Sequence, residues 1–233
     1  MGTNIEGKRP DLIAKIVMQA TGKTVANIIQ ERVFDKMGLT HTEWITQGKE
    51  TLVCDINSPD SYPTLRLDSN IGDERNLYVS ARELAFWGNL HLNKGIFNGI
   101  RILPKEVIEL STSIQSPDSL PNNLPGFGCF WWVKNERGYI NWEKNELGND
   151  LPSGSYQILG ASSCSCTVIP QYNAVVVRMY NSLYDNEKYD YVKDIQSFGN
   201  FVISTLKCKA KILFITLKLI IKSLYELKGL SEK

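Results

Sequence analysis

The run Asn-Leu-Tyr-Val-Ser-Ala-Arg-Glu-Leu-Ala-Phe-Trp-Gly-Asn-Leu-His-Leu-Asn-Lys-Gly-Ile-Phe-Asn-Gly-Ile-Arg-Ile-Leu-Pro at 76–104 constrains the fold more than any other part of this chain. A short β-type stretch leads into Ser80, whose hydroxyl is suited to accept a hydrogen bond from the open N–H groups of a helix's first turn. Apolar residues then recur at helical spacing until Gly95, and Ile-Leu-Pro opens a further helix, where proline's missing N–H is harmless. The segment predicts a strand, a capped helix, a glycine-ended turn and a second helix start.

Helical signals dominate before it and strand signals after it. Leu12, Ile13, Ile16, Val17 and Ala20 recur every three or four residues behind Pro10 and Asp11, and Gly22 stops them. Thr24 caps a second helix carrying Val25, Ile28, Ile29, Val33 and Phe34, ended near Gly38. Residues 45–75 and 111–126 are rich in Asp, Ser, Pro and Gly and read as loops. Strand chemistry takes over at 126–133, 155–159, 164–169 and 173–180, separated by turns at 160–163 and 170–172. A helix over about 188–207 follows.

Three of these segments, in order and spacing, resemble the β-lactamase-related serine hydrolases. That family includes class C β-lactamases, penicillin-recognising peptidases, esterases and 6-aminohexanoate-oligomer hydrolases. The 76–104 run is similar to its "Gly-Leu-x-x-x-Ala-Arg-Asp-Leu-Ala-x-Phe-Gly-x-Leu-x-Leu-Asn-x-Gly" segment. Residues 12–44, with Ala-Thr-Gly-Lys-Thr at 20–24 and Met-Gly-Leu-Thr-His-Thr-Glu-Trp at 37–44, resemble "Thr-Gly-Lys" followed by "Leu-Gly-Met-x-x-Thr-x-Trp". The strands resemble "Tyr-Gly-x-x-Trp-Trp…Gly-x-Gly-Gly-Gln…Val-Val-Val-Arg". The resemblance covers about 11–206 and implies an α+β fold. It predicts part of the helical domain, the C-terminal strands of an antiparallel sheet and a final packed helix, with the N-terminal strands and the nucleophile helix absent.

The resemblance also implies a chemistry, acyl transfer through a serine ester. A Ser-x-x-Lys supplies the nucleophile, a Tyr-x-Asn relays the proton, and a Lys-Thr-Gly or His-x-Gly strand helps bind the anion. The first two precede the helix at 12–20 in the family, and the ten residues ahead of Asp11 contain neither. Ser204-Thr-Leu-Lys207 matches by pattern, but 18 serines and 18 lysines make one such match expected by chance, and it falls in the final helix. Tyr139-Ile-Asn141 and Tyr184-Asp-Asn186 are equally misplaced. The third element falls near Ser155, Tyr156 and Gln157, which include no Lys or His. The family's Gly-x-Gly-Gly-Gln has become Gly160-Ala-Ser-Ser-Cys164, and serine in place of glycine restricts φ. The candidate cleft residues are therefore Ser155, Tyr156, Gln157, Gly160, Trp131 and Trp132, although tryptophans in such a strand more commonly pack in the core or against the sheet. No catalytic residue is assigned.

Composition removes several other classes. A net charge of +1 argues against a nucleic-acid partner. Five cysteines at irregular spacings, with His41 and His91 fifty positions apart, argue against a metal site and a disulfide framework and for buried or partly buried free thiols. No cofactor is implied. Thr21-Gly-Lys-Thr24 lacks the first glycine of a phosphate loop and reads as a helix-ending turn. The N-terminus reads as neither signal peptide nor myristoylation site, which leaves the cytoplasm or a membrane periphery as the expected location.

Charge is unevenly spread: from residue 201 onward seven lysines face two glutamates. At helical spacing Lys207, Lys211, Lys218 and Lys222 form a narrow stripe on an otherwise apolar helix, a pattern suited to a membrane surface. A helix packed on the domain and an incidental extension are the alternatives. The chain divides into a hydrolase-like portion, 1–206, and a basic extension, 207–233. The expected function is a truncated serine hydrolase inactive on its own, beside a binding or membrane-associated protein that keeps only the scaffold. Expected partners are an N-terminal half on another chain, a second copy joined along the 173–180 sheet edge, or a membrane surface met by 207–226.

Overall fold

The computed structural model describes residues 9–45, 76–117, 126–134, 146–160, 164–179 and 189–208. Most of the 45–75 loop, the Tyr139 and Tyr184 motifs, Cys54 and the extension beyond 208 lie outside these.

The helix boundaries follow from side-chain and glycine chemistry. Helix α1 (Arg9–Thr21) ends where Gly22 adopts φ +69° and its N–H reaches the Met18 carbonyl at 2.8 Å. Thr24 Oγ1 accepts from the Asn27 N–H at 3.0 Å and starts α2 (Val25–Ile29), which passes through a π-helical turn, Gln30–Phe34, into α3 (Asp35–Met37). Gly38, at φ +67°, terminates it in the left-handed conformation that glycine adopts without strain. Strand β1 (Thr42–Ile45) pairs antiparallel with β2 (Asn76–Val79). Ser80 Oγ then accepts from the Glu83 N–H at 3.2 Å and caps α4 (Ala81–Leu92).

Two hairpins interrupt what the sequence pattern suggests. Between α4 and α5 (Lys105–Ser111), β3 (Ile96–Phe97) and β4 (Ile100–Arg101) pair across Asn98 and Gly99, both at positive φ as a type I′ turn requires. The single strand expected over 126–133 is instead β5 (Gly126–Phe127) folded back on β6 (Trp132–Val133), with Phe130 at φ +64° in the turn. The fold-back is held from outside. The Cys129 N–H bonds the Ser111 carbonyl at 2.9 Å, and Gly128 sits so close to that carbonyl that a Cβ would lie 2.3 Å from it.

The main sheet continues through β7 (Tyr156–Leu159), β8 (Ser165–Ile169) and β9 (Ala174–Arg178), antiparallel throughout in the order β5-β6-β7-β8-β9. Strand alternation sends one residue set to each face. Tyr156, Val133, Val168 and Val175 pack with Trp131 and Trp87 on the face covered by α4. Ile169, Ala174, Val176 and Trp132 pack with Leu147, Leu151, Phe198, Val202 and Ile203 on the face covered by the final helix, α6, over 191–208. A third cluster, Val33, Phe34, Met37, Leu90, Phe97 and Ile102, joins α2, α3 and the β3–β4 hairpin to the back of α4. Helix α4 is thus buried on two sides, and β9 is half-buried between α4 and α6 rather than baring its valines. Arg178 ties β9 to α6, bonding Asp194 at 2.7 Å and lying 4.4 Å over the Phe198 ring.

Helix α4 meets the sheet at Gly88. A Cβ there would stand 2.5 Å from Val175 Cγ1 and 2.8 Å from Cys166 Sγ. A Gly88→Ala substitution must push the helix off β8 and β9, and is expected to cost about 1–3 kcal/mol. A lowered midpoint in chemical denaturation checks this; an unchanged or raised midpoint contradicts the close approach.

Candidate functional site

The six residues singled out by the sequence come together along β6 and β7, but on opposite faces. Trp131 and Tyr156 face α4, their rings T-shaped at 5.0 Å. Trp132 faces α6 and lies edge-on to Phe127 at 4.9 Å. Ser155 and Gln157 share that α6 side; the Gln157 amide donates to the Glu146 carbonyl at 3.0 Å and accepts from the Thr167 hydroxyl at 3.3 Å. Trp131, Ser155, Tyr156 and Gln157 are all buried, and the Ser155 hydroxyl finds no hydrogen-bond partner among the described residues. Gly160, half-buried, begins the turn to β8 and donates its N–H to the Cys164 carbonyl at 2.7 Å. In this arrangement the row supports the sheet from within, and only Gly160 and Trp132 approach its outside.

His91 belongs to the same aromatic column. Its ring lies 4.6 Å from Trp87 and 4.7 Å from Trp131, and its Nδ1–H donates to the Trp87 carbonyl at 2.9 Å. Burial pulls its pKa down to about 4, outweighing the hydrogen bond, so the ring is neutral near pH 7. His41 is exposed, with Nδ1 3.0 Å from the Thr40 hydroxyl. The same Nδ1 lies 3.5 Å from Glu83 Oε1, and among the described residues neither histidine ring bonds a serine or cysteine side chain.

Two charged side chains that the sequence reading passed over organise the polar part of the structure. Glu83 is 5% exposed and accepts from the Thr40 and His41 backbone N–H groups, at 2.8 and 2.9 Å, and from the Thr42 hydroxyl. Burial raises its pKa, but these donors outweigh burial and the net shift is downward. The Ser80-x-x-Glu83 spacing is the signal that marks it: in a capping box the acid would turn back to the cap, whereas here it clamps the chain entering β1. Lys134, 6% exposed, donates to the Gly148 and Asn149 carbonyls at 3.2 and 3.4 Å. Burial brings it down to about 8 against the pull of Asp150. Strand alternation from Trp132 places it on the α6 face, and that periodicity was its signal.

The described cysteines are free thiols. Cys166 is buried, its pKa pushed up to about 12 by desolvation, so it is unreactive packing. Cys164 is half-buried. Cys129 and Cys208 are exposed, against the expectation of buried thiols, because one sits in the β5–β6 turn and the other on the outer side of α6. Among the described residues no group of three or more His, Cys, Asp or Glu side chains could hold a metal ion.

These layers, a helix seated on an antiparallel sheet backed by a terminal helix, are an α+β arrangement of the beta-lactamase kind. The family model described as Beta-lactamase matches residues 10–196, and the chain belongs to that family. It is 37% identical over 196 residues to an uncharacterized protein of Alkalihalophilus pseudofirmus, covering 84% of this chain and 57% of that one. In fold it is similar to a Bacillus anthracis protein assigned as a 6-aminohexanoate-dimer hydrolase, with a TM-score of 0.55 at 18% identity, over 86% of this chain and 42% of that one. It is also similar to a beta-lactamase from Mycobacterium bovis, with a TM-score of 0.52 at 12% identity, over 84% of this chain and 61% of the other. The chain spans only about half the length of such relatives.

The His91 column has a pH consequence. A folded-state pKa depressed from 6.5 to about 4 gives stability that is complete above about pH 6.5 and lost as pH falls towards 4. Between pH 7 and pH 5 the loss should be about 2 kcal/mol, before Glu83 begins to titrate. Urea denaturation of the protein and of His91→Phe at both pH values measures it. The variant should lose that pH dependence, and equal slopes would remove His91 as the cause.

Proposed function

We propose that this chain carries the C-terminal portion of a β-lactamase-like serine hydrolase scaffold and performs no acyl transfer by itself. One observation carries the reading. The sequence holds a single Ser-x-x-Lys, Ser204 to Lys207, and it lies on the exposed side of α6. There the Ser204 hydroxyl donates to the Phe201 carbonyl at 2.8 Å, so it is engaged with its own helix. An acyl-transfer nucleophile needs a base within about 3 Å and preorganised donors for the developing oxyanion. The residues at the family's third element, Ser155, Tyr156 and Gln157, are interior ones here and supply neither.

A second reading is a non-catalytic partner protein that retains the scaffold. The sheet favours it in one respect: among the described residues β9 pairs with β8 alone, leaving its outer backbone edge suited to a strand from another chain. A complementing N-terminal half and a second copy are both partners of that kind.

The purified chain is expected to hydrolyse nitrocefin and short p-nitrophenyl esters no faster than its Ser204→Ala variant, since loss of a nucleophile and its base removes several orders of magnitude in rate. Intact-mass analysis after a fluorophosphonate or penicillin should show no adduct. Stoichiometric labelling of one serine would overturn the proposal.

A further inference from the structure

We propose that the outer side of α5 and the tip of the β5–β6 turn form the interface of a symmetric dimer of this chain, with Phe130 as its anchor. The inference is independent of whether the scaffold is catalytic, and its surface lies at the opposite end of the sheet from β9. Phe130 is an unusual residue for its position. Its φ of +64° falls in the left-handed region, which glycine and asparagine enter readily and a bulky aromatic does not. Such a conformation persists only where its surroundings impose it. Here the Cys129 N–H bonds the Ser111 carbonyl at 2.9 Å and the Gly128 N–H bonds the Trp131 carbonyl at 2.8 Å. Burial within the chain does not offset the strain, because Phe130 is left 60% exposed. The turn therefore holds a large apolar ring out to solvent, as an aromatic that anchors a protein contact requires.

The ring is one end of a larger apolar surface. Ile108 is the buried side chain of α5 and marks its inward side. At about 100° per residue, Val107 and Leu110 lie about 60° apart on the outer side. They are 50% and 58% exposed. Just beyond the helix, the partly exposed Ile114 packs over Gly126, where a Cβ would stand 2.8 Å from its Cδ1. The turn that carries Phe130 is bonded to Ser111, the last residue of α5. These four side chains thus gather around the C-terminal end of the helix.

Size and charge select a second copy as the occupant. The four side chains expose on the order of 400 Å² of apolar surface, and a standard interface of about 800 Å² per partner is a little over half apolar. The cations beside the surface are engaged within the chain. Lys94 and Lys105 hold Glu109 at 2.9 and 3.4 Å, and Arg101 donates to the Lys94 and Leu103 carbonyls at 3.1 and 3.2 Å. An acidic protein or an anionic lipid surface therefore finds no complement here. At a net charge of +1, two copies meet with little repulsion. A two-fold axis across α5 sets the two helices antiparallel, with Val107 against the partner's Leu110 and Leu110 against the partner's Val107.

Sedimentation velocity of the full chain from about 1 to about 100 µM tests the proposal, which expects a reversible monomer–dimer equilibrium in that range. Phe130→Asn removes the ring from a backbone position that suits asparagine better. It should weaken the dimer about tenfold or more, while the thermal midpoint at the lowest concentration holds or rises. Leu110→Lys, on the outer side of α5, should weaken the dimer about tenfold and leave the monomer's midpoint unchanged. A monomer at every concentration would overturn the proposal and leave the surface to a different protein. An equal dissociation constant for the parent and both variants would overturn it in favour of another contact, such as the β9 edge. Assembly growing beyond the dimer with concentration would contradict the two-fold arrangement. A lowered monomer midpoint in both variants would show these side chains packed on their own chain, and would also overturn it.

Discussion

The contact between Gly88 and the Cys166–Val175 surface sets the distance between α4 and the sheet, and the other layers depend on that distance. With no side chain at 88, the helix backbone approaches β8 and β9 closely enough for the Cys166 thiol to reach the Leu84 carbonyl at 3.6 Å. The approach lets Trp87 lie at the junction of two apolar clusters, against Phe34 on one side and in the His91–Trp131–Tyr156 column on the other. Moving α4 outward by the width of a methyl group would loosen both clusters together, because close-packed interiors pass on such shifts.

Polar side chains fasten the edges of this packing. Glu83 draws Thr40, His41 and Thr42 to the start of α4, and Ser80 caps the same turn while its N–H bonds the His41 carbonyl at 3.2 Å. Lys134 holds the 146–151 loop, whose Leu147 and Leu151 fill the space under α6. Arg178 and Asp194 fix α6 to β9. Three of the perturbed ionisable groups, His91, Lys134 and Cys166, owe their shifts first to burial. Perturbed pKa values often mark catalysis, but structural burial produces them too, and these groups lie in the packing between layers. This protein of the beta-lactamase family layers α4, the antiparallel sheet and α6, and these buried groups sit where those layers meet.

Features that depend on near neighbours were legible in the sequence. Thr24 and Ser80 cap their helices and Gly22 and Gly38 end theirs, since each rests on a local requirement for an acceptor or a positive φ. The strands β7, β8 and β9 and the helix α6 also lie where the pattern put them, because two-sided burial leaves a strong apolar signal. The β3–β4 hairpin was readable from Asn98-Gly99 and was passed over. The reversal at 128–131 was not readable, because it depends on Ser111 and Ser113, far along the chain and close only in space. The candidate cleft suffered from a similar difficulty. Adjacent positions such as Ser155 and Tyr156 point to opposite faces, so a sequence window that gathers them together mixes two environments.

Native-state hydrogen exchange tests the central claim, that the α4–sheet contact unites the layers, most directly. If the account is right, the amides of Leu90 and His91 in α4 and of Cys166, Thr167 and Val168 in β8 share one opening free energy, equal to the global stability and equally sensitive to denaturant. Exchange of the α4 amides through a smaller, denaturant-insensitive opening, with β8 still fully protected, would contradict it.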